Sequence, residues 1–490
     1  MAEPPKSEPL DLAVIGAGAA GAFVAHEMKI ARPDWSIGLF ERSDRIGGRL
    51  RSVSIEGIDH RVELGGMRFL SSHTRVADLV EGWGLATHAF DATGEPERSY
   101  LRGVVAAGAD ARDAGRGYEL TDDQRGRTAV ELAMSAFEQI VPGFQQLDHE
   151  GYVRRRAGGR LLGRPVTAWS IGEALETILG DEARRFVNDA FGYDSGLRAF
   201  CAPDLVEFLF AGDDPRAEAR TPDAGMERIP NELAGRFEAA GGVVELGHEL
   251  ASLEVVNGTL LLRFANAKTI SAARIVLAMP LPALRLLASD ASALRAPAFH
   301  EVFRSVEGFP AMKLYLWYES PWWRPAVPGI RTTTDLPLRK IFYFDGRAGS
   351  SSVMLAMYTD GRDVDPWIAL HRETRAAQPA PPTMLAEVQR QLAEAHPEVA
   401  DIPVPRGSAL MYWGADPHEV GWHFWRAGMN SDAILERAPH PDPRLPIYLA
   451  NEAFSRRQSW VEGALEAADA TIQRLMMSSG GRGIDGEWSV

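Results

Sequence analysis

The chain has 490 residues, of which 45% are hydrophobic and 24% are charged. These proportions are typical of a soluble globular protein with a sizeable core, and they exclude a mainly disordered chain. The formal net charge of −15 argues against general electrostatic binding to nucleic acid or to an anionic membrane surface.

The N-terminal region predicts a strand, a turn and a helix. After a tail that we expect to be disordered over residues 1–9, residues 10–15 form a short apolar run bounded by glycine, which indicates a buried strand. Residues 19–32 favour a helix, and residues 36–41 favour a second strand. This order is typical of the first unit of a dinucleotide-binding domain.

A glycine pattern, G-x-G-x-x-G, lies between that strand and that helix and consists of Gly16, Gly18 and Gly21. The first glycine allows a tight turn, the second lets a pyrophosphate approach the backbone, and the third lets the helix pack on the sheet. The N–H groups at the start of the helix attract phosphates. Glu41 ends the second strand, where a carboxylate can accept the ribose hydroxyls. Alternatively, the glycines only allow a tight turn between the strand and the helix, and no ligand binds there.

A second glycine-rich turn, Gly47-Gly48-Arg49, follows the second strand. Its arginine would place a fixed positive charge near the same pyrophosphate, although a surface turn has the same composition. This turn favours FAD over NAD. The sequence has no second G-x-G-x-x-G pattern for NADPH, so the reducing equivalents must come from an organic substrate.

The middle of the chain predicts helices and the remainder is rich in strands. Residues 127–142, 171–191 and 204–211 carry apolar residues at helical spacing. Asn257-Gly258 predicts a hairpin turn. Further strands are expected at 274–279, 313–318, 353–358 and 447–450, and further helices at 384–395 and 461–477.

Several sequence blocks resemble the flavin-containing amine oxidase family and, within it, the L-amino-acid oxidases. The blocks are VELGGMRFL (62–70), DAGMERIPNELAGRFEAAGGVVEL (223–246), MKLYLWYESPWW (312–323), RTTTDLPLRKIFY (331–343), MLAMYTDG (354–361) and ANEAFSRRQSWVEGAL (450–465). They follow the family's order along almost the whole chain. The resemblance implies the amine oxidase fold, an α/β fold in which a Rossmann-like FAD-binding domain is joined by a mixed-sheet substrate domain and a helical insertion.

The expected domains are discontinuous in sequence. We assign residues 10–75, 219–305 and 437–478 to the FAD-binding domain, residues 76–117 and 306–436 to the substrate-binding domain, and residues 118–218 to the helical domain.

The resemblance also implies roles for three residues near the flavin. Arg68 matches the arginine that binds the substrate carboxylate, a role that suits a bidentate guanidinium. Tyr358 matches the tyrosine whose hydroxyl shares that carboxylate, although a tyrosine on an apolar strand also fits a core. Lys313 matches the lysine that holds a water beside flavin N5; the alternative is a lysine that extends from an edge strand to solvent.

Other residues are implied as contacts of the cofactor. Trp460 and Val461 match the pair that covers the flavin, Glu452 matches an acid near its ribityl and phosphate groups, and Val244 matches a residue that holds the adenine. The complete set of predicted FAD contacts is Gly16, Gly18, Ala19, Ala20, Gly21, Glu41, Arg42, Gly48, Arg49, Gly66, Met67, Arg68, Val244, Glu452, Trp460, Val461 and Ala464.

Three further residues are expected at the substrate. The family's Gly-Trp is here Ser459-Trp460, which implies a tighter pocket on the amine side. Trp425 belongs to an aromatic cluster that would either fill the core or wall the side-chain pocket. Asp360 would either select a basic or polar side chain or face solvent.

The resemblance implies oxidative deamination of an L-α-amino acid, with hydride transfer from Cα to flavin N5 and with 2-oxo acid, ammonia and hydrogen peroxide as products. Trp460 is expected to act beside Arg68, Lys313 and Tyr358, and we assign no general base. The alternatives are oxidative decarboxylation of an aromatic amino acid to an amide, oxidation of an amine without a carboxylate, and a flavin-stabilised scaffold without turnover.

The expected partners are an amino acid and molecular oxygen, with a homo-oligomer as a possibility and no metal. Cys201 is the only cysteine, which excludes an intramolecular disulfide and fits a reducing compartment. It lies far in sequence from the C-terminal region in which some relatives attach flavin, so we expect noncovalent FAD. No stretch reaches the roughly 18 apolar residues of a membrane span. We therefore predict a cytoplasmic protein.

Overall fold

The structure is a computed structural model and describes residues 8–59, 61–90, 98–210, 217–256, 258–327, 329–345, 351–370 and 379–478. Most of the predicted N-terminal tail and Asn257 of the predicted hairpin turn lie outside these residues.

The described residues form 24 strands and 15 α-helices. The strands are β1 (Leu12–Ile15), β2 (Ile37–Phe40), β3 (Ser52–Val53), β4 (Val62–Glu63), β5 (Phe69–Leu70), β6 (Thr87–Ala89), β7 (Arg98–Leu101), β8 (Val104–Ala107), β9 (Arg160–Leu161), β10 (Arg164–Pro165), β11 (Ala219–Pro222), β12 (Val243–Glu245), β13 (Leu250–Val256), β14 (Thr259–Phe264), β15 (Thr269–Ala272), β16 (Ile275–Leu277), β17 (Val306–Phe309), β18 (Ala311–Tyr318), β19 (Arg331–Thr334), β20 (Lys340–Phe344), β21 (Ser352–Asp360), β22 (Gly407–Trp413), β23 (Trp422–Trp425) and β24 (Ile447–Leu449). The α-helices are α1 (Ala19–Ala31), α2 (Thr74–Gly82), α3 (Ala129–Ile140), α4 (His149–Gly158), α5 (Ile171–Leu179), α6 (Asp181–Phe191), α7 (Asp194–Ala199), α8 (Ala202–Phe210), α9 (Arg228–Ala239), α10 (Leu281–Asp290), α11 (Pro297–Arg304), α12 (Asp365–Leu370), α13 (Pro382–Ala395), α14 (Ser431–Arg437) and α15 (Val461–Ser478).

A five-stranded parallel sheet carries the first glycine-rich turn. Its strand order is β12-β2-β1-β16-β24, and all four strand pairs are parallel. The central strands are continuous apolar runs with buried side chains, as parallel strands covered on both faces require. On one face, α1, α9 and α15 bury their apolar residues against this sheet.

A seven-stranded mixed sheet forms the second layer of the site. Its order is β22-β18-β21-β20-β19-β7-β8, and within it only the β19–β7 pair is parallel. Lys313 on β18 is directly opposite Tyr358 on β21, which in turn is opposite Lys340 on β20. Because directly opposed residues project from the same face, these three side chains form one row across the sheet.

Helices α3 to α8 lie within residues 129–210, where β9 and β10 are the only described strands. Two of them begin with capping boxes, Thr128 with Glu131 and Ser170 with Glu173. The helical spacing over 171–191 belongs to two helices, because Gly180 takes a positive φ of 85° and separates α5 from α6. The hairpin strands β13 and β14, by contrast, pair as predicted, with Val256 opposite Thr259.

The parallel sheet, the mixed sheet and the helices between residues 129 and 210 agree with the α/β class and the helical insertion expected from the sequence. Within the described part of the chain, none of the helices combines the length and the apolar character that crossing a bilayer would take.

Candidate active site

A cavity of about 1150 Å³ runs from the first glycine-rich turn to the row of side chains on the seven-stranded sheet. Ligand pockets for drug-sized molecules are about 300–1000 Å³, so this cavity has room for a large cofactor together with a small substrate. We call the part around the two glycine-rich turns the cofactor end. We call the part bounded by Arg68, Lys313, Lys340, Tyr358, Tyr193 and Trp422 the chamber.

The first glycine-rich turn lies at the cofactor end. Gly16, Gly18 and the first residues of α1, Ala19 and Ala20, line the cavity. Gly21 does not line it; a Cβ built there would lie 1.9 Å from the carbonyl oxygen of Gly16. The third glycine therefore allows α1 to pack close to the turn, as the pattern predicts.

The second glycine-rich turn faces the first across a narrow gap. Gly48 has a positive φ of 56°, and a Cβ built on it would lie 3.1 Å from Cα of Gly18. Both residues line the cavity. The two turns thus leave a cradle of bare backbone, which a side chain would fill and which fits the pyrophosphate of a dinucleotide.

Glu41 holds the cofactor end together. One of its carboxylate oxygens accepts from the N–H of Ala17 at 2.8 Å, and the other accepts from the N–H of Ser43 at 2.9 Å. A carboxylate has about four acceptor positions, so two remain for the hydroxyls of a ribose. Arg42 also lines this end, where it forms an ion pair with Asp416 at 3.1 Å.

Arg49 and Glu452 were each expected to contact FAD, and in the structure they form an ion pair with each other. Both terminal nitrogens of the Arg49 guanidinium donate to the Glu452 carboxylate, and Nδ1 of His423 lies 2.9 Å from the same carboxylate. Burial raises the pKa of Glu452, but Arg49 and His423 outweigh it and keep the pKa below its usual range. The ion pair joins the second glycine-rich turn to the closing sequence motif.

The prediction for Val244 is wrong in its placement. Val244 lies on β12, opposite Leu39 of the parallel sheet, and does not line the cavity. Leu250 and Ala251, at the start of β13, line the cofactor end instead.

Gly66, Met67 and Arg68 form the strip of backbone that leads from the cofactor end into the chamber. The hydroxyl of Thr221 donates to the carbonyl oxygen of Met67 at 2.7 Å and fixes this strip. The guanidinium of Arg68 lies 5.0 Å from the ring centre of Phe90 and 6.0 Å from that of Phe342. These rings hold a positive charge at the wall of the chamber.

Lys313 is buried at the bottom of the chamber. Its ammonium donates to the carbonyl oxygens of Glu63 at 3.2 Å and of Gly65 at 2.5 Å. Burial lowers the pKa of Lys313 to about 7, with Arg68 acting in the same direction and Glu63 opposing it. An ammonium has three N–H groups, so one remains for a molecule in the cavity. Lys313 is thus a buried cavity group and not a lysine that reaches solvent.

Three aromatic side chains pack edge to face in the chamber. The ring centres of Tyr193 and Tyr358 are 5.3 Å apart, and that of Trp422 lies 5.8 Å and 6.0 Å from them. Burial raises the pKa of the Tyr358 hydroxyl, so this group is a hydrogen-bond donor at neutral pH.

Two residues expected at the substrate do not line the cavity. Trp425 is buried in the core because it lies on the opposite face of β23 from Trp422 and Phe424, which line the cavity. The carboxylate of Asp360 does not line the cavity; it accepts from the N–H groups of Asp194 and Ser195, the first two residues of α7. Asp360 neither meets the chamber nor faces solvent.

The closing motif covers the cavity between its two parts. Ser459, Trp460, Val461 and Ala464 all line it, and α15 begins at Val461, so its positive N-terminus points there. Ser459 takes a positive φ of 68°, a conformation that favours glycine. The departure from the family's glycine therefore costs about 1 kcal/mol of backbone strain.

Sequence reasoning missed Tyr193 and Lys340. Tyr193 lies in the short connection between α6 and α7, where no local pattern singles it out. The alternation of side chains along β20 places Lys340 on the same face as Phe342. The strand register, which the sequence does not reveal, then places it opposite Tyr358.

The chain matches a known family and several known proteins. A profile of the family described as flavin containing amine oxidoreductase matches residues 20–476. Aplysianin-A of Aplysia kurodai is 25% identical, with 95% of this chain and 90% of that protein covered. The L-amino-acid oxidase of Mus musculus is 24% identical (96% and 71% covered), and the flavin-dependent L-tryptophan oxidase RebO of Lentzea aerocolonigenes is 23% identical (96% and 98%). Among solved structures, putrescine oxidase bound to putrescine has a TM-score of 0.72 at 16% identity, with 96% of this chain and 99% of that one covered. The amine oxidase fold predicted from the resemblance is thereby confirmed.

Proposed function

This chain is a member of the flavin-containing amine oxidoreductase family, with FAD as its cofactor, and from that premise we propose that it oxidises an L-α-amino acid. The products would be a 2-oxo acid and ammonia, formed by hydrolysis of the imino acid, together with hydrogen peroxide from oxygen. The reaction breaks the Cα–H bond and one N–H bond of the substrate, converts Cα–N to C=N, and passes the two electrons and two protons to oxygen.

One observation carries the proposal: Arg68 and Tyr358 line the same chamber as Lys313. A guanidinium fork binds a carboxylate through two parallel hydrogen bonds, and a neutral tyrosine hydroxyl can donate a third. An amine without a carboxylate would use neither the guanidinium fork of Arg68 nor this donated hydrogen bond.

The residues of the chain have distinct tasks in this scheme. FAD, when bound, supplies the two-electron acceptor. Arg68 and Tyr358 orient the carboxylate and thereby fix the position of Cα, and such positioning supplies much of an enzyme's rate. Lys313 Nζ, whose pKa lies near 7, can hold a water or exchange a proton with one beside the amine. Trp460 and the aromatic rings exclude bulk water.

The test is anaerobic mixing of the FAD-loaded protein with L-amino acids and with the amines that remain when their carboxylate is removed. The proposal expects the yellow absorbance to bleach with at least one L-amino acid and at least about 100-fold more slowly with the matching amine. Faster bleaching by the amine would contradict it. Product mass then separates deamination to a 2-oxo acid from decarboxylation to an amide.

A further inference from the structure

Lys340 is a second lysine of the chamber that the roles above do not use. It starts β20, directly opposite Tyr358, and it lines the cavity together with Lys313. Lys313 and Lys340 lie two strand spacings apart, roughly 10 Å, on the same face of the sheet. The chamber therefore has one lysine at each end of the row and Tyr358 between them.

The ammonium of Lys340 differs from those of the other described lysines. Lys29 and Lys313 each donate to two carbonyl oxygens, and Lys268 forms an ion pair with Glu245. Within the described ranges, the side-chain amino group of Lys340 makes no hydrogen bond or ion pair. It lies 4.5 Å from the ring centre of Tyr193 and 5.8 Å from that of Phe191. An amino group that faces the cavity and contacts only aromatic rings among the described residues is available to a ligand.

The charges around Lys340 are mostly positive. Burial lowers its pKa well below the usual value, and Arg331, Arg68 and Arg339 lower it further, while Asp360 opposes them. Asp360 offers little compensation, because its oxygens accept from the backbone of α7 and burial raises its own pKa to about 7. Arg339 is itself paired with Asp189 and Asp363. A carboxylate that binds beside Lys340 would favour the charged form of its amine.

The chamber itself supplies no such carboxylate from the described residues. The carboxylates that line the cavity belong to the cofactor end, as Glu41, Asp416 and Glu452 do, or to the exposed end of α10, as Asp290 does. Around Arg68 and Lys340 the described lining consists of cations, aromatic rings and apolar side chains. A basic side chain would meet like charge there, which costs binding energy.

We propose that the substrate carries a second anionic group on its side chain and that Lys340 binds it, so that the preferred substrates are acidic L-amino acids. This inference rests on the proposed function, because Arg68 must take the α-carboxylate before Lys340 can select the second one. Tyr193 would then form the wall along which the side chain extends.

The experiment compares L-glutamate with L-glutamine and L-aspartate with L-asparagine on the FAD-loaded protein, by anaerobic flavin reduction and by peroxide release. Each pair has the same shape and differs in one negative charge. We expect kcat/KM for the acid to exceed that for the amide at least about tenfold. In Lys340→Met, kcat/KM for the acid should fall about 100-fold through KM, while the amide changes less than about threefold. Lys268→Met, which removes a lysine outside the cavity, is the matched control.

The outcomes separate the two proposals. Preference for amide, neutral or basic L-amino acids in the unaltered protein, or an equal loss on acid and amide in Lys340→Met, overturns the role of Lys340 but leaves amino-acid oxidation standing. Reduction by amines alone, or by neither class, overturns the proposed function and this inference with it. If Lys340→Met fails to fold, the acid-to-amide ratio of the unaltered protein and of Lys340→Arg decides.

Discussion

Replacement of Arg68 by methionine removes the guanidinium but keeps a long apolar side chain against Phe90 and Phe342. Truncating one partner of a buried charge pair costs about 2–5 kcal/mol, and each 1.4 kcal/mol is tenfold. We therefore expect kcat/KM for the best L-amino acid to fall about 30- to 3000-fold. Arg68→Lys, which keeps the charge without the fork, should recover part of this loss.

The assay is the rate of anaerobic flavin reduction with an L-amino acid and with its decarboxylated amine. Arg426→Met is the control, because this residue pairs with Glu307 and does not line the cavity. The amine should react at the same rate with Arg68→Met and the unaltered protein. An equal loss on both substrates, or no loss on either, would show that Arg68 does not bind the carboxylate.

Three further changes test the cofactor end and the chamber. Gly21→Ala should weaken FAD binding at least about tenfold, because its Cβ meets a backbone oxygen at 1.9 Å, whereas Gly235→Ala on α9 meets nothing within 4 Å and should bind FAD normally. Glu452→Gln should lower the free energy of unfolding by about 3–5 kcal/mol, since it leaves Arg49 without its counter-charge; thermal denaturation measures this. The pKa of Lys313 falls from 10.5 to about 7 on folding, so the folded chain binds fewer protons than the unfolded chain between these values. The free energy of unfolding of the unaltered protein, relative to that of Lys313→Met, should therefore rise by about 1.4 kcal/mol per pH unit in that window. Denaturant titrations at several pH values measure this difference. A difference that does not change with pH would contradict the burial of this lysine.

Local patterns predicted the cofactor end well, because one continuous unit builds most of it. The strand, the turn and the helix over residues 12–31 follow one another in sequence, and Gly16 and Gly21 perform their predicted tasks within that unit. Glu41 is close behind and accepts hydrogen bonds from the same turn. In such a unit, sequence spacing directly determines spatial position.

The chamber was harder to predict because distant strands meet there. A shift of one residue turns a side chain to the opposite face of a strand, and this separates Trp425 in the core from Phe424 at the cavity. Asp360 was expected at the substrate because it is two residues from Tyr358 on β21. Its carboxylate instead accepts hydrogen bonds from the N–H groups at the start of α7, which is distant in sequence. The domain boundaries, the cellular location and the oligomeric state stay predictions.

The most direct measurement is a crystal structure of the FAD-loaded protein with an α-methyl amino acid, which has no Cα–H to lose and so remains intact. We expect both oxygens of its carboxylate within hydrogen-bond distance of the Arg68 guanidinium, with the Tyr358 hydroxyl donating to one of them. A ligand whose carboxylate points away from Arg68, towards solvent or towards Lys313, would contradict the assignment of this protein as an amino-acid oxidase.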